Sequence, residues 1–538
     1  MSNDVLGEQG ANGDNAAARD ESSTRIKQYK NLSKHEDMRR RRTECSVELR
    51  KAKRDDMMMK RRNLVDEEEE DPASLGADSV AIDTKARGTG EKKPEARLPF
   101  DEVIRILSNN PSLEQTREAF ESIRRALSKN KNPPVDEVIQ TGLLHALVQA
   151  LAVEDDTVRF EAAWGLTNIL SGTSEQTMKA VEAGCTQPLV ALTVHPNLNL
   201  AEQALWGVAN IAGDSAQLRD YIIQCQGVEA LLAIVERIDD LSVSFARTLA
   251  WAFSNMCRHK NPHAPIPVLS VLIRGLAKLI HHADKTVRQD ACWAISYLTD
   301  GPDEQIELAK NGGVMPTILS FLNEPETLVA PALRVLGNMA TGNDSLTQHV
   351  IDLGTLNMLQ KLVDRSKSTS IVKEVCWLIS NVIAGTQAQI QAVADAGLFS
   401  VLVQVLASGD YKVQFETSWA LANLAQGGTT RQLLELFSEQ NLFANLCPLL
   451  YTTNADLICN LLETMYAVLA AVATGRPDHI ISATEAVEEA GGCDALEALQ
   501  SNENEKIYHL SYKILTEFFS EDDEEEEVKE NTGVRFAF

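Results

Sequence analysis

From about Pro99 to Phe519, apolar residues recur every three or four positions. That is the period of a helix, not the two-residue alternation of a strand, so the region is predicted to be helical almost throughout. Two phrases return along it. One is a glycine ahead of an apolar stripe, as in "TGLLHALVQAL" (141–151), "AGCTQPLVAL" (183–192), "GGVMPTILSFL" (312–322), "AGLFSVLVQVL" (396–406) and "GGCDALEAL" (491–499). The other sets a tryptophan four residues before an asparagine: "AAWGLTNILSG" (162–172), "QALWGVANIAG", "TLAWAFSNMC", "VCWLISNVIAG" and "TSWALANLAQG".

Aligned on the tryptophan phrase, the reference positions are 164, 206, 251, 293, 334, 377, 419 and 463, spaced 41 to 45 apart. A period of about 40–47 residues with two or three helices per unit is that of armadillo or HEAT repeats. A degenerate first unit (120–130) and a last one (507–519) bring the number to about ten. A unit of this kind cannot bury its apolar face alone, so stacking must create the core. The expected fold is all-α, a right-handed superhelical armadillo-repeat solenoid with a long concave surface.

On a helical wheel of about 100° per residue, Ala162, Ala163, Leu166, Ile169 and Leu170 form one apolar stripe. Trp164 and Asn168 fall roughly opposite it, at about 100° and 140° from Ala163. All six tryptophans of the chain take this position. They are therefore expected to form an exposed ladder, and an exposed apolar ladder marks a binding surface. Three residues before each tryptophan stand Glu161, Gln203, Thr248, Asp290, Glu374 and Glu416, with Glu202 nearby. Indole faces hold the stems and charges of Lys and Arg, at about 0.5–2 kcal/mol each. Carboxylates add charge-assisted hydrogen bonds. An asparagine amide matches the N–H and C=O of an extended main chain. The implied ligand is an extended peptide rich in Lys and Arg. The ladder is interrupted where Tyr297 replaces Asn and Arg334 replaces Trp, and Arg334 should repel a basic ligand there. Complete rungs thus form two separated sites. In the ninth repeat Glu463 and Ala467 replace the pair, and no ligand contact is expected.

Charge sharpens this picture. The net charge is −26, yet residues 25–62 hold fifteen Lys/Arg against six Asp/Glu. A basic arm on an acidic body can bind that body or another acidic partner. The chain is read as a polar, disordered tail (1–24), the basic arm (25–63), a linker (64–99), the repeats (100–519) and an acidic tail (520–538). The nine cysteines show neither C-x-x-C pairs nor zinc spacing and are read as reduced, mostly buried thiols of a cytosolic or nuclear protein. The N-terminus lacks a secretory pattern, and no apolar run approaches the roughly 18–20 residues that span a bilayer. His259, His263, His281 and His282 cluster loosely without catalytic partners, so no enzyme is expected, nor any cofactor or metal. Scaffolds of the catenin type are the main alternative, but such grooves receive acidic peptides and this one has the opposite sign. Direct nucleic-acid binding is disfavoured by the acidic body and by an arm without interleaved aromatics.

The ladders, "LTNILSGTSEQT" (166–177), "VANIAGD" (208–214), the Tyr297/Arg334 gap and the arm "MRRRRTECSVELRKAKRDDMMMKRRN" (38–63) together resemble importin-α (karyopherin-α), a family of nuclear import adaptors. The resemblance covers nearly the whole chain. It implies a groove for classical nuclear localisation signals. The major site would comprise Trp164, Asn168, Gly172, Thr177, Trp206, Asn210, Asp214, Trp251, Asn255 and Asp290, with Asp214 meeting the dominant signal lysine. The minor site would comprise Asn338, Glu374, Trp377, Asn381, Glu416, Trp419 and Asn423. The arm would bind importin-β through Arg39, Arg40, Arg41, Arg42, Arg50, Lys51 and Arg54. Lys60, Arg61 and Arg62, in "KRRN", would act as an internal pseudo-signal that fills the cargo groove when importin-β is absent. The last repeat and nearby acidic tail resemble the region bound by the family's dedicated export receptor. The implied partners are thus signal-bearing cargo proteins, importin-β and that receptor. The implied location is cytoplasm and nucleus, with shuttling between them and no membrane insertion.

Overall fold

The structure, a computed structural model, describes residues 60–62, 98–439 and 441–520. The expectations for residues 1–59, 63–97 and 521–538 lie outside the described residues, among them those for Arg39–Arg42, Arg50, Lys51 and Arg54. The described chain is helical, with no strand among the described residues, and it divides between Leu346 and Thr347 into two compact units.

In the first unit each complete repeat ends in a long inner helix. These are Leu113–Leu127, Asp156–Leu170, Leu198–Asp214, Val243–Arg258, Lys285–Leu298 and Glu326–Ala340. The second unit has Thr369–Ile383, Tyr411–Gly427, Ala455–Gly475 and Glu505–Phe518. Within each unit successive inner helices pack side by side. Outer helices precede each one, most of them shorter; Ile266–Leu279, ahead of Lys285–Leu298, matches it at 14 residues. The degenerate first and last repeats anticipated from sequence are present as Leu113–Leu127 and Glu505–Phe518.

Local chemistry marks where these helices start. Asp155, Asn197, Ser242, Asp284, Asp410, Asn454 and Asn504 each sit at an N-cap and accept a main-chain N–H of the first turn. Three of these caps are tied to the preceding repeat: Asn197 Nδ2 donates to Asp156 Oδ2 (3.0 Å), and two aspartates accept from arginines. Arg117 donates to Asp155 (3.1 and 2.5 Å), and Arg247 donates to Asp284 (3.0 and 2.7 Å). The recurring glycine of the first phrase is the turn between two short helices. Gly142, Gly184, Gly313, Gly354, Gly397 and Gly491 all have φ between 71° and 91°, the left-handed region that a side chain strains. Gln226 and Asn441 take that conformation in two further repeats.

Burial agrees with reduced, inert thiols. Among the described cysteines, Cys185, Cys257, Cys292, Cys376, Cys447 and Cys459 are buried and none is bridged. Burial pushes the Cys185, Cys257 and Cys376 thiols up to about 12. Ala455–Gly475 is, among the described residues, the one single helix long and apolar enough to cross a membrane, and 67% of its apolar window is buried in the repeat stack. His259 bridges helices, its Nε2 lying 3.1 Å from the Ala212 carbonyl oxygen.

Candidate functional site

The ladder face of the first unit carries Lys60, Arg61 and Arg62 against it. Lys60 Nζ donates to the Gly172 carbonyl (3.1 Å) and Thr177 Oγ1 (2.9 Å) and forms an ion pair with Asp214. The pair is nearly out of water, with side chains 13% and 4% exposed. A desolvated ammonium needs several acceptors at once, and this pocket supplies three. Thr177 Oγ1 donates its own proton to the Leu170 carbonyl (3.1 Å), which leaves its lone pairs toward the lysine.

Helix ends explain the pocket. Asp156–Leu170 finishes just before Gly172, so the carbonyls there lack intrahelical partners and sit at the negative end of the dipole. The next helix opens with a capping box in which Thr173 Oγ1 accepts from Gln176 N (3.2 Å) and Gln176 Oε1 accepts from Thr173 N (3.0 Å). A Cβ at position 172 would lie 2.1 Å from Gln176 Oε1, so glycine there leaves room for the capping glutamine. Arg62 uses the same device. Its Nη2 donates to the carbonyl of Leu127 (2.5 Å), the last residue of Leu113–Leu127.

Arg61 is held by its main chain and its side chain together. Its N–H donates to Asn210 Oδ1 (2.9 Å), and its carbonyl accepts from Asn210 Nδ2 (3.0 Å) and Trp206 Nε1 (3.0 Å). Its guanidinium carbon lies 4.7 Å from the centre of the Trp251 ring, and Nη2 is 3.5 Å from Asp290 Oδ2. Burial pushes the Asp290 carboxyl above the usual carboxylate range, while Arg61 and Arg258 pull it back.

Two expectations about the ladder need correction. The tryptophans do not stand in open solvent. Trp206, Trp251 and Trp377 are 8%, 2% and 4% exposed, and Trp164, Trp293 and Trp419 are half-buried. An inner helix is flanked by inner helices on both sides, so its burial wraps well past one stripe. Leu198–Asp214 buries 13 of its 17 residues. The Trp206 and Trp251 rings lie edge to face at 6.4 Å, and Arg61 lies over the latter. Secondly, the asparagines do more than face outward. All are buried, and each of several ties its repeat to the one before: Asn168 Nδ2 to Ser128 Oγ (2.9 Å), Asn210 Nδ2 to Thr167 O (3.1 Å), Asn255 Nδ2 to Ala209 O (2.9 Å) and Asn338 Nδ2 to Ser296 O (2.9 Å).

The chain also supplies cations to its own ladder, which the wheel did not reveal. Arg124 lies 4.6 Å over the Trp164 ring and donates through Nε to Glu161 Oε2 (2.6 Å), so Glu161 is internally paired. Gln203 Nε2 donates to Thr167 Oγ1 (3.0 Å) across the repeat boundary. In the gap, Trp293 stacks on Tyr297 at 6.1 Å, and Arg258 lies 5.4 Å over Tyr297. Arg334 is half-buried. The sequence signal for Arg124 was its place three residues before the end of a degenerate inner helix, which proximity in space alone turns into a partner for Trp164.

In the second unit Glu374 and Asn381 are buried beside Trp377, and Lys373 Nζ is 3.4 Å from Glu374. Trp419 meets Phe415 edge to face at 6.1 Å, Asn423 Nδ2 donates to Ser380 O (2.8 Å), and Glu416 is half-buried. Glu463, which stands in the tryptophan place of the ninth repeat, pairs with Lys506 (2.6 Å) and accepts from Gln426 Nε2 (2.7 Å).

Comparison with known proteins places this arrangement. A profile described as importin beta binding domain matches residues 25–121. The armadillo/beta-catenin-like repeat matches residues 131–171, 173–213, 261–300 and 386–426, and an atypical Arm repeat matches 483–532. Importin subunit alpha-2 of Caenorhabditis elegans is 58% identical over 508 residues, 94% of either chain. Importin subunit alpha-1a of Oryza sativa subsp. japonica is 35% identical over 513 residues, 93% of either chain. The crystal structure of an engineered protein superposes with a TM-score of 0.68 at 25% identity, covering 78% of this chain and 98% of that one. With an armadillo-repeat body, an importin-β-binding segment ahead of it and relatives matched over nearly their full length, the chain belongs to the importin-α family.

Proposed function

We propose that the protein is a nuclear import adaptor whose ladder face binds Lys/Arg-rich nuclear localisation signals as extended peptides, and that its own Lys60–Arg62 compete for that face. The observation that carries the reading is the seating of Lys-Arg-Arg. One lysine meets three acceptors, and one arginine has both its main chain and its guanidinium recognised. Asn210 reads only peptide N–H and C=O, so it accepts any extended segment, whereas Asp214, Asp290 and Trp251 demand cations beside it. Trp164, Asn168 and Asn255 extend the same face. Trp377, Asn381, Trp419 and Asn423 form a second ladder of the same chemistry in the second unit, with Glu374 and Glu416 supplying charge; Asn338 carries the same amide device in the first unit.

The switch follows from tethering. A linker of about 36 residues reaches about 30–36 Å and gives a tethered segment a roughly millimolar effective concentration. A micromolar internal signal would then weaken cargo binding about a thousandfold. Importin-β, by taking the arm at residues 25–63, would lift this inhibition. In the same reading the last repeat would be taken by an export receptor, and the protein would cycle between cytoplasm and nucleus.

The reading is tested by titrating the full-length protein with a Lys/Arg-rich peptide, a Glu-rich peptide and duplex DNA at several salt concentrations. Salt-sensitive binding of the basic peptide alone supports it. Preference for the acidic peptide would make the protein a scaffold of the catenin type, and preference for DNA a nucleic-acid binder.

A further inference from the structure

Asp214 is the last residue of Leu198–Asp214, so its carboxylate sits at the negative end of its own helix dipole, an unfavourable place for an anion. A donor from the first helix of the same repeat offsets this. Ser174, the first residue of Ser174–Glu182, directs its Oγ proton to Asp214 Oδ1 at 3.0 Å. The same oxygen meets Lys60 Nζ. Ser174 itself is exposed. We propose that Ser174 is a positioning residue for the lysine pocket, which fixes the Asp214 carboxylate toward a ligand ammonium.

The choice of residue type is informative. A hydroxyl carries one proton, so it fixes a carboxylate through one lone pair and leaves the others for the cation. Three repeats on, at the corresponding helix start, the arrangement is reversed. There Asp303 supplies the carboxylate, and Asn343 Nδ2 donates to its Oδ2 at 2.8 Å. In that place acid and donor have changed sides and the acid is turned toward the next repeat. The serine–aspartate order leaves the acid on the ladder side at the pocket where lysine sits. Gly172 and Thr177 supply acceptors whatever Ser174 does, so its effect belongs to Asp214 alone.

This inference rests on the reading of the ladder face as a basic-peptide site, and the test separates the two. The background is the full-length protein carrying Lys60→Ala, Arg61→Ala and Arg62→Ala. The probes are the peptide MMMKRRNLVD and the same peptide with its lysine replaced by alanine. Ser174→Ala should weaken the lysine peptide about fivefold, the ordinary scale for one net hydrogen bond. It should leave the alanine peptide unchanged, and Ser174→Thr should restore most of the loss. Equal loss on both peptides, or no loss on either, would overturn the proposal, since a general structural role does not distinguish them. Asp214→Ala is the control. If it weakens the lysine peptide while Ser174→Ala does not, only the serine's role fails. If Asp214→Ala has no effect, the reading of the site fails, and this inference fails with it.

Discussion

Single side chains carry two tasks at once on this face. Asn210 spends one amide proton on the Thr167 carbonyl of the preceding repeat and the rest of its amide on the Arg61 main chain. Asn210→Ala should therefore lower both peptide affinity, by about tenfold or more, and stability, by about 1–2 kcal/mol. Calorimetric melting and a peptide titration check the two losses separately, and loss of affinity without any change in melting would contradict the double role. Asp290 gives a second prediction. Its carboxyl is held above the usual carboxylate range by burial, so it gains a proton at a higher pH than an ordinary aspartate and loses its attraction for arginine. Affinity for an arginine-bearing peptide should fall on acidification earlier than in Asp290→Asn, whose affinity is lower and flatter with pH. The tryptophan–asparagine pairing and the acids beside it were legible because they repeat at one helical position. Arg124 over Trp164 and Arg258 over Tyr297 were not, because each partner comes from a different repeat and nothing in the linear pattern joins them.

Helix ends supply part of the cation pockets, beside the acids and rings of the helix faces. The Gly172 and Leu127 carbonyls accept from Lys60 and Arg62 because their helices stop there. The wheel drawn from sequence describes the middle of a helix and says nothing of its last carbonyls, so these main-chain acceptors stayed hidden although Gly172 itself was named. Gly172→Ala should push Gln176 out of its capping box, at a cost of about 1 kcal/mol, and weaken lysine binding in the same protein. An unchanged melting temperature would show that the box tolerates the methyl group. The helix starts make a prediction of opposite character. Hydrogen bonds from Arg117 and Arg247 hold Asp155 and Asp284 below the usual carboxylate range. With the folded values depressed, the unfolded chain binds more protons, so this stability is present at neutral pH and is lost as pH falls from the ordinary carboxylate range through the folded values. Arg247→Met should make melting temperature less steep between about pH 5 and 3, and an unaltered slope would remove Asp284 from the account.

At the level of the molecule, the repeat architecture could be read from the 41-to-45-residue spacing and the recurrent glycine, since periodicity survives where single residues do not decide. Charge placement could be read as well: a basic arm on an acidic body announces that the two can meet. The residues that meet are the second half of that statement, and Lys60, Arg61 and Arg62 against Asp214, Asn210 and Trp251 are the instance at hand. The depth of the tryptophans was misjudged at this scale too, because a stripe on one helix ignores the helices stacked on either side. The most direct test is the affinity of a Lys/Arg-rich signal peptide for the full-length protein and for the same chain with Lys60→Ala, Arg61→Ala and Arg62→Ala. The account predicts much tighter binding by the substituted chain, by up to about a thousandfold. Equal affinity of the two would contradict it.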